Sequence, residues 1–194
     1  MRGCRPYSTN EYKVVESSFT GRFAVRNRTL FVLGSYTGFR IGELRSLGVR
    51  DVYQYGQVVE AVSGQRAAMK GKLCSRTVVL HAAAKAALKV WLGEMKGKGL
   101  LTADTCLFKS QVGKNRPITN SQAARILKRN FRAHRMQGKL SCHSMRKFFA
   151  ESVFQRLRGD LVKLQRAMGH LNISSTIDYL SFKQDDINQA ILSI

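Results

Sequence analysis

Apolar positions recur at helical spacing in several separated stretches of the chain. Ser8, followed three residues later by Glu11, has the pattern of a capping box and predicts a helix running to about Phe19. Residues 26–36 are largely apolar (Leu30, Phe31, Val32, Leu33), which predicts a central helix ending near Gly38, with a short helix over about 40–46 behind it. Ala84, Leu88, Trp91, Leu92 and Met95 repeat with helical period, and GKGLLTAD closes that helix. Further helices are predicted over 119–134, 144–156 and 160–168. A last amphipathic piece over 184–192 carries Ile187, Ala190 and Ile191, with Ile194 just beyond. Between the helical stretches, residues 51–62 hold Val52, Tyr53, Tyr55, Val58 and Val59, interrupted by Gly56, and RTVVL at 76–80 has Gly71 in the turn before it. Both read as strands. The expected fold is mixed and mainly α, with a small antiparallel β-sheet of about three strands.

Composition narrows the classes. A hydrophobic fraction of 44%, with ten Phe, six Tyr and one Trp, is enough to close a core, and 194 residues suit one domain. No apolar run approaches the roughly 20 residues that span a bilayer. MRGCRPYSTNEY lacks the apolar core of a signal peptide, and the four Cys (4, 74, 106 and 142) form no CxxC pair. The expectation is a soluble cytoplasmic protein with reduced thiols and no membrane partner. Against 12 acidic residues stand 33 Lys and Arg, giving a formal charge of +21. An excess of this size points to a polyanion, with nucleic acid first, because cations that neutralise phosphates release condensed counterions.

The excess is uneven. Between Asp104 and Glu151 there is no acidic residue, and Thr119 and His134 bound an amphipathic helix within that stretch. Ala123, Ile126, Leu127 and Phe131 fall on one side; Arg125, Lys128, Arg129 and Arg132, at i, i+3, i+4 and i+7, fall on the other. The first face packs and the second is offered to backbone phosphates. The competing reading is an ordinary solvated basic face.

Four stretches carry candidate chemistry: TGFRIGEL at 37–44, HSMR at 143–146, MGH at 168–170 and TIDYL at 176–180. Tyr179 lies nine residues after His170, and His143 lies 27 before it. Each motif alone is weak. Together, in this order and with a β hairpin between the first two, they resemble the catalytic domain of the tyrosine recombinases (phage integrase family). The resemblance runs from RPYSTNE to the tail.

The resemblance implies a catalytic fold in which Tyr179 is the nucleophile, Arg40 and Arg146 hold the phosphate, and His143 and His170 hydrogen-bond it or assist proton transfer. Glu43 is then a supporting residue that orients its neighbours. A lysine on the β hairpin would protonate the departing 5′ oxygen. The family's usual offset lands on Gly71, so Lys70 is chosen, with Lys72 as the alternative. The chemistry of the residues agrees. A tyrosyl hydroxyl can hold a DNA end as a phosphotyrosyl ester that conserves the bond for rejoining, and guanidinium groups are forked donors that stay charged.

Taken singly, these residues have plain readings. A lone tyrosine is most often a packing residue, and two histidines can be structural. No Cys or carboxylate lies at convincing zinc spacing, so no metal and no cofactor is expected. Cys142 beside His143 is not a hydrolase dyad, since sequence neighbours do not form one.

The whole chain, 1–194, reads as a single catalytic domain without the N-terminal core-binding domain that most family members carry. It is either a catalytic fragment or akin to the short recombinases that invert fimbrial promoters. The implied function is site-specific cutting and rejoining of double-stranded DNA by a homo-tetramer, with an accessory DNA-bending protein as a further partner and the tail at 184–194 exchanged between protomers. The competing functions are a DNA-binding regulator or accessory protein that retains the fold without cleavage, and a type IB topoisomerase.

Overall fold

The first helix, α1 (Thr9–Ser17), starts at a capping box. Ser8 Oγ accepts from the Glu11 amide at 3.2 Å, and the Ser8 amide donates to Glu11 Oε2 at 2.7 Å. The predicted start is therefore found, and Ser18 ends the helix slightly earlier than expected. The central helix α2 (Ala24–Thr37) buries Leu30, Phe31, Val32 and Leu33 completely and stops at Gly38, which is left-handed with φ 60°. Arg40 then caps α3 (Ile41–Ser46).

The computed structural model describes residues 3–67, 73–180, 188 and 191–193. It divides into two compact units, Met1–Phe149 and Ala150–Ile194. In the first, α4 (Val49–Val52) leads into a hairpin of β1 (Tyr53–Gln54) and β2 (Gln57–Val58), turned by Tyr55 and Gly56, both at positive φ. Two left-handed residues in a two-residue loop match the twist of the strands they join. A longer antiparallel pair follows, β3 (Ala61–Ala67) with β4 (Leu73–Val79).

The predicted sheet needs correction. Among the described residues the strands form two separate two-stranded sheets, not one sheet of about three. The stretch 51–62 splits into the end of a helical turn, a tight hairpin and the start of β3. That strand was missed because AVSGQRA is polar and carries a glycine. Gly64 is there for a packing reason: a Cβ at that position would lie 2.9 Å from the Phe39 ring.

Helix α5 (Ala82–Gly97) begins at His81, whose Nδ1 accepts from the Ala83 amide at 3.1 Å and whose ring stacks on Tyr36. It buries the predicted Ala84, Leu88, Trp91, Leu92 and Met95, and Trp91 Nε1 donates to the Leu107 carbonyl at 2.8 Å. The basic helix α6 (Asn120–Ala133) is capped by Thr119 at one end and His134 at the other, as the sequence predicts. Burying Leu127 and Phe131 contributes about 1.5–3 kcal/mol each, which anchors a helix whose other side is charged. The first turns of α7 (Cys142–Arg156) join the same core, where Phe148 stacks on Tyr7 and Tyr12.

In the second unit, α8 (Leu161–Met168) is capped by Asp160, which accepts from the Lys163 amide at 2.9 Å. Gly169, at φ 62°, ends it, and α9 (Ser174–Ile177) follows. The predicted tail helix over 184–192 lies almost wholly outside the described residues. No helix among the described residues is long and apolar enough to cross a membrane.

Gly38 makes the fold testable at a single atom. A Cβ built on it would sit 2.4 Å from the Phe149 ring, at a φ that side chains rarely adopt. Gly38→Ala should therefore cost about 2–4 kcal/mol in chemical denaturation, combining backbone strain with overpacking. Gly93→Ala, where the new methyl meets nothing within 4 Å, should be neutral or stabilising.

Candidate active site

The C-terminal end of α2 organises the candidate residues of the first unit. Helix C-termini present unpaired carbonyls and a partial negative charge. Two guanidinium groups meet this one. Arg146, on α7 and 1% exposed, donates through Nη1 to the Gly38 carbonyl. Arg76, on β4, donates through Nη2 to the Thr37 carbonyl, with its guanidinium carbon 4.9 Å from the Phe39 ring centroid. The close approach of α2 and α7 depends on small residues, since a Cβ at Gly34 would fall 2.7 Å from Met145 Sδ.

Arg40 follows two residues after Gly38. Its backbone amide donates to Glu43 Oε2 at 2.5 Å, and its Nη1 lies 3.8 Å from Glu43 Oε1. Glu43 is 5% exposed. It thus holds the backbone entry to α3 and lies beside the Arg40 guanidinium. Arg40 Nη1 is buried and makes no hydrogen bond among the described residues.

His143 sits in the first turn of α7, three residues before Arg146. Its amide donates to Ser141 Oγ at 3.2 Å, while the Ser141 amide donates to Ser144 Oγ at 3.1 Å. This reciprocal serine cap starts the helix and fixes where His143 emerges. Burial, followed by the positive charges of Arg40, Arg146 and Lys147, pushes the His143 pKa below the ordinary value. Arg40, His143 and Arg146 are thereby brought together in the first unit.

The second unit holds the other pair. His170, buried directly after the left-handed Gly169, places its Nδ1 2.9 Å from Thr176 Oγ1. Its ring centroid lies 5.3 Å from that of Tyr179, which is half-buried. Lys70 and Lys72 lie outside the described residues. The basic face of α6 is as expected: Arg125, Lys128, Arg129 and Arg132 are exposed, and among the described residues none is ion-paired. Arg45 of α3 donates to the Ile118 carbonyl and to Asn120 Oδ1, tying the start of that face to the helix that carries Glu43.

Two residues were not singled out from sequence. In the sequence Arg76 only marks the start of a predicted strand, and Thr176 is only the first letter of TIDYL. A charged residue in an apolar strand was a usable signal for the first. The second had none, because its partner lies six residues back across a bend.

The fold and this arrangement define a class. The model of the phage integrase family matches residues 10–185, and the chain belongs to that family. It is 28% identical over 165 residues to the probable integrase/recombinase YoeC of Bacillus subtilis (strain 168), spanning 85% of this chain and 82% of that one. The structure of XerA recombinase superposes with a TM-score of 0.74 at 24% identity, over 97% of this chain and 65% of XerA. XerH recombinase, in a post-cleavage complex with a palindromic difH substrate, gives 0.72 at 20% identity, over 98% of this chain and 53% of XerH. The Tn1549 transposon integrase, in complex with circular intermediate DNA, gives 0.70 at 18% identity, over 99% of this chain and 66% of the integrase. The mainly helical fold with small antiparallel sheets is that of the tyrosine recombinase catalytic domain. The chain spans between about half and two thirds of these three solved proteins.

The His143 environment predicts its titration. In the folded protein its midpoint should fall below the ordinary histidine value of about 6.5, and Arg40→Gln should move it back upward, as followed by NMR of the ring proton. Because the folded pKa is the lower one, its contribution to stability is fully present above about pH 6.5 and is lost as the pH falls through the folded value. His143→Asn should flatten that part of the stability profile.

Proposed function

We propose that the chain is a site-specific recombinase that cuts and rejoins double-stranded DNA through a 3′-phosphotyrosyl intermediate. The observation that carries this reading is the pairing of Tyr179 with buried His170, within a family match that also spans Arg40, His143 and Arg146. In the proposed step the Tyr179 oxygen bonds to the scissile phosphorus as the bond to the 5′ oxygen breaks. The tyrosyl proton passes to a base, for which neutral His143 is suited. The 5′ oxygen leaves as a hydroxyl after taking a proton from Lys70, or from Lys72 in the alternative reading. Arg40 and Arg146 offset the negative charge that builds on the nonbridging oxygens, and His170 hydrogen-bonds one of them. Rejoining reverses the step with a different 5′ hydroxyl, so no external energy source is consumed.

DNA binding is assigned to α6, whose four exposed cations form one stripe. XerH bound to its difH substrate and the Tn1549 integrase in complex with circular intermediate DNA are in keeping with this assignment. Assembly as a tetramer on two duplexes belongs to the same reading. Exposed Val162, Leu171, Ile173 and Ile177 in the second unit are apolar surface suited to a neighbouring protomer. The domain extent, 1–194, is likewise proposed as the catalytic part.

The test is covalent capture. A duplex carrying the cognate site, with a nick beside the cleavage position so that the short product diffuses away, should accumulate a detergent-resistant protein–DNA adduct. Retained specific binding with no adduct would instead assign a DNA-binding factor that does not cut. For α6, replacing Lys128, Arg129 and Arg132 by Gln should weaken binding to every sequence and reduce the salt dependence by about one counterion per residue.

A further inference from the structure

We infer that Thr176 is the positioning residue for His170: its hydroxyl donates to Nδ1 and holds the neutral imidazole as the tautomer with its proton on Nε2. What that proton then does rests on the proposed strand cleavage; the tautomer itself does not.

The argument is one of donors and acceptors in a closed space. Thr176 is 0% exposed and His170 is 7% exposed, so solvent serves neither group well. Among the described residues, His170 Nδ1 at 2.9 Å is the sole hydrogen-bond partner of Thr176 Oγ1. A buried hydroxyl proton without an acceptor is costly. If Nδ1 carried the imidazole proton, Oγ1 would have to accept it and its own proton would have nowhere to go. If Nδ1 is bare, the hydroxyl donates to it and both groups are satisfied. The second arrangement places the ring proton on Nε2.

The backbone around the pair leaves little freedom to swap roles. The His170 amide donates to the Gln165 carbonyl at 3.1 Å, and Gln165 Nε2 returns to the carbonyls of His170 and Leu171 at 3.1 and 3.0 Å. On the other side, the Thr176 amide donates to the Ile173 carbonyl at 2.8 Å, and the Tyr179 amide donates to the Thr176 carbonyl at 3.0 Å. Thr176 and Tyr179 therefore stand one turn apart, both in contact with the His170 ring. The residue that sets the imidazole proton is fixed to the same turn as the proposed nucleophile. Cleavage would then use an Nε2–H already directed as a donor, with no tautomer exchange before the chemistry.

Uniform 15N labelling of histidine in the full chain, with long-range proton–nitrogen spectra recorded above the imidazole titration, reads the tautomer directly. The expected His170 pattern is a protonated Nε2 and an unprotonated Nδ1 whose resonance is displaced by an accepted hydrogen bond. Thr176→Val, close in volume but without the hydroxyl, should lose that displacement, and Thr176→Ser should keep it. On the nicked duplex, Thr176→Val should slow adduct formation about tenfold, the effect of one neutral hydrogen bond, with DNA affinity unchanged and Thr176→Ser near wild type. A protonated Nδ1 in the wild-type protein, or an Nδ1 resonance unmoved in Thr176→Val, overturns the inference. An unaltered cleavage rate in Thr176→Val overturns the use of that proton in cleavage, and the tautomer is then decided by the spectra. A wild-type chain that forms no adduct at all sinks the cleavage reading instead, and the spectra alone then decide the tautomer.

Discussion

Replacing Tyr179 by Phe should abolish adduct formation on the nicked duplex, lowering its rate by at least about 10⁴-fold, because the only atom lost is the one that bonds to phosphorus. The ring remains, and with it the packing beside His170 at 5.3 Å between centroids. DNA affinity should therefore stay within about twofold, since the cationic contacts that dominate affinity lie elsewhere. Melting temperature should also be nearly unchanged. A tyrosine that merely packed would give the opposite pattern, with little loss of chemistry.

Arg146→Lys should slow cleavage by about 10²–10³-fold, the loss typical of one preorganised donor to transition-state charge. The substitution keeps the positive charge and loses the planar fork. Arg146 differs from an ordinary active-site cation in being 1% exposed and bonded to the Gly38 carbonyl, so it also helps hold α7 to the end of α2. A fall in stability is expected alongside the kinetic loss. Arg76→Lys separates the two. It disturbs the neighbouring Thr37 carbonyl bond and the stacking on Phe39, while removing no group assigned to the phosphate. Its stability loss should be of similar order, with a much smaller effect on the cleavage step at saturating DNA.

How far these residues could be found without coordinates depended on where their partners lie. Helix α6 was legible from cap to cap because Ala123, Leu127 and Phe131 repeat on one face and Thr119 caps it. The start of α1 was legible for a similar reason, since Ser8 and Glu11 satisfy each other locally. The β region was legible only in part, since RTVVL at 76–80 overlaps β4 (Leu73–Val79) but the stretch before it was less plain. Val52 closes a helical turn, Tyr55 occupies a left-handed turn position, and β3 holds Ser63 and Gly64 where an apolar alternation would be sought. Its pairing is decided by β4, the next strand in the chain.

The candidates Arg40, His143, Arg146, His170 and Tyr179 stand out in the sequence because family motifs name them, but their physical states do not. That Arg146 serves a helix terminus and that burial and cationic neighbours lower the His143 pKa follow only from how α2 and α7 pack, and that Thr176 contacts His170 follows only from the turn after α8. Lys70 and Lys72 lie in sequence between β3 and β4, outside the described residues. Cleavage assays of Lys70→Ala and Lys72→Ala with a 5′-thio leaving group decide between them.

The central claim is that Tyr179, among six tyrosines, becomes bonded to DNA. Digesting the trapped adduct with protease and nuclease and sequencing the modified peptide by mass spectrometry tests it most directly. The account predicts a phosphonucleotide, attached through its 3′ phosphate, on the peptide that contains Tyr179. A nucleotide on any other residue, or linked through a 5′ phosphate, would contradict it.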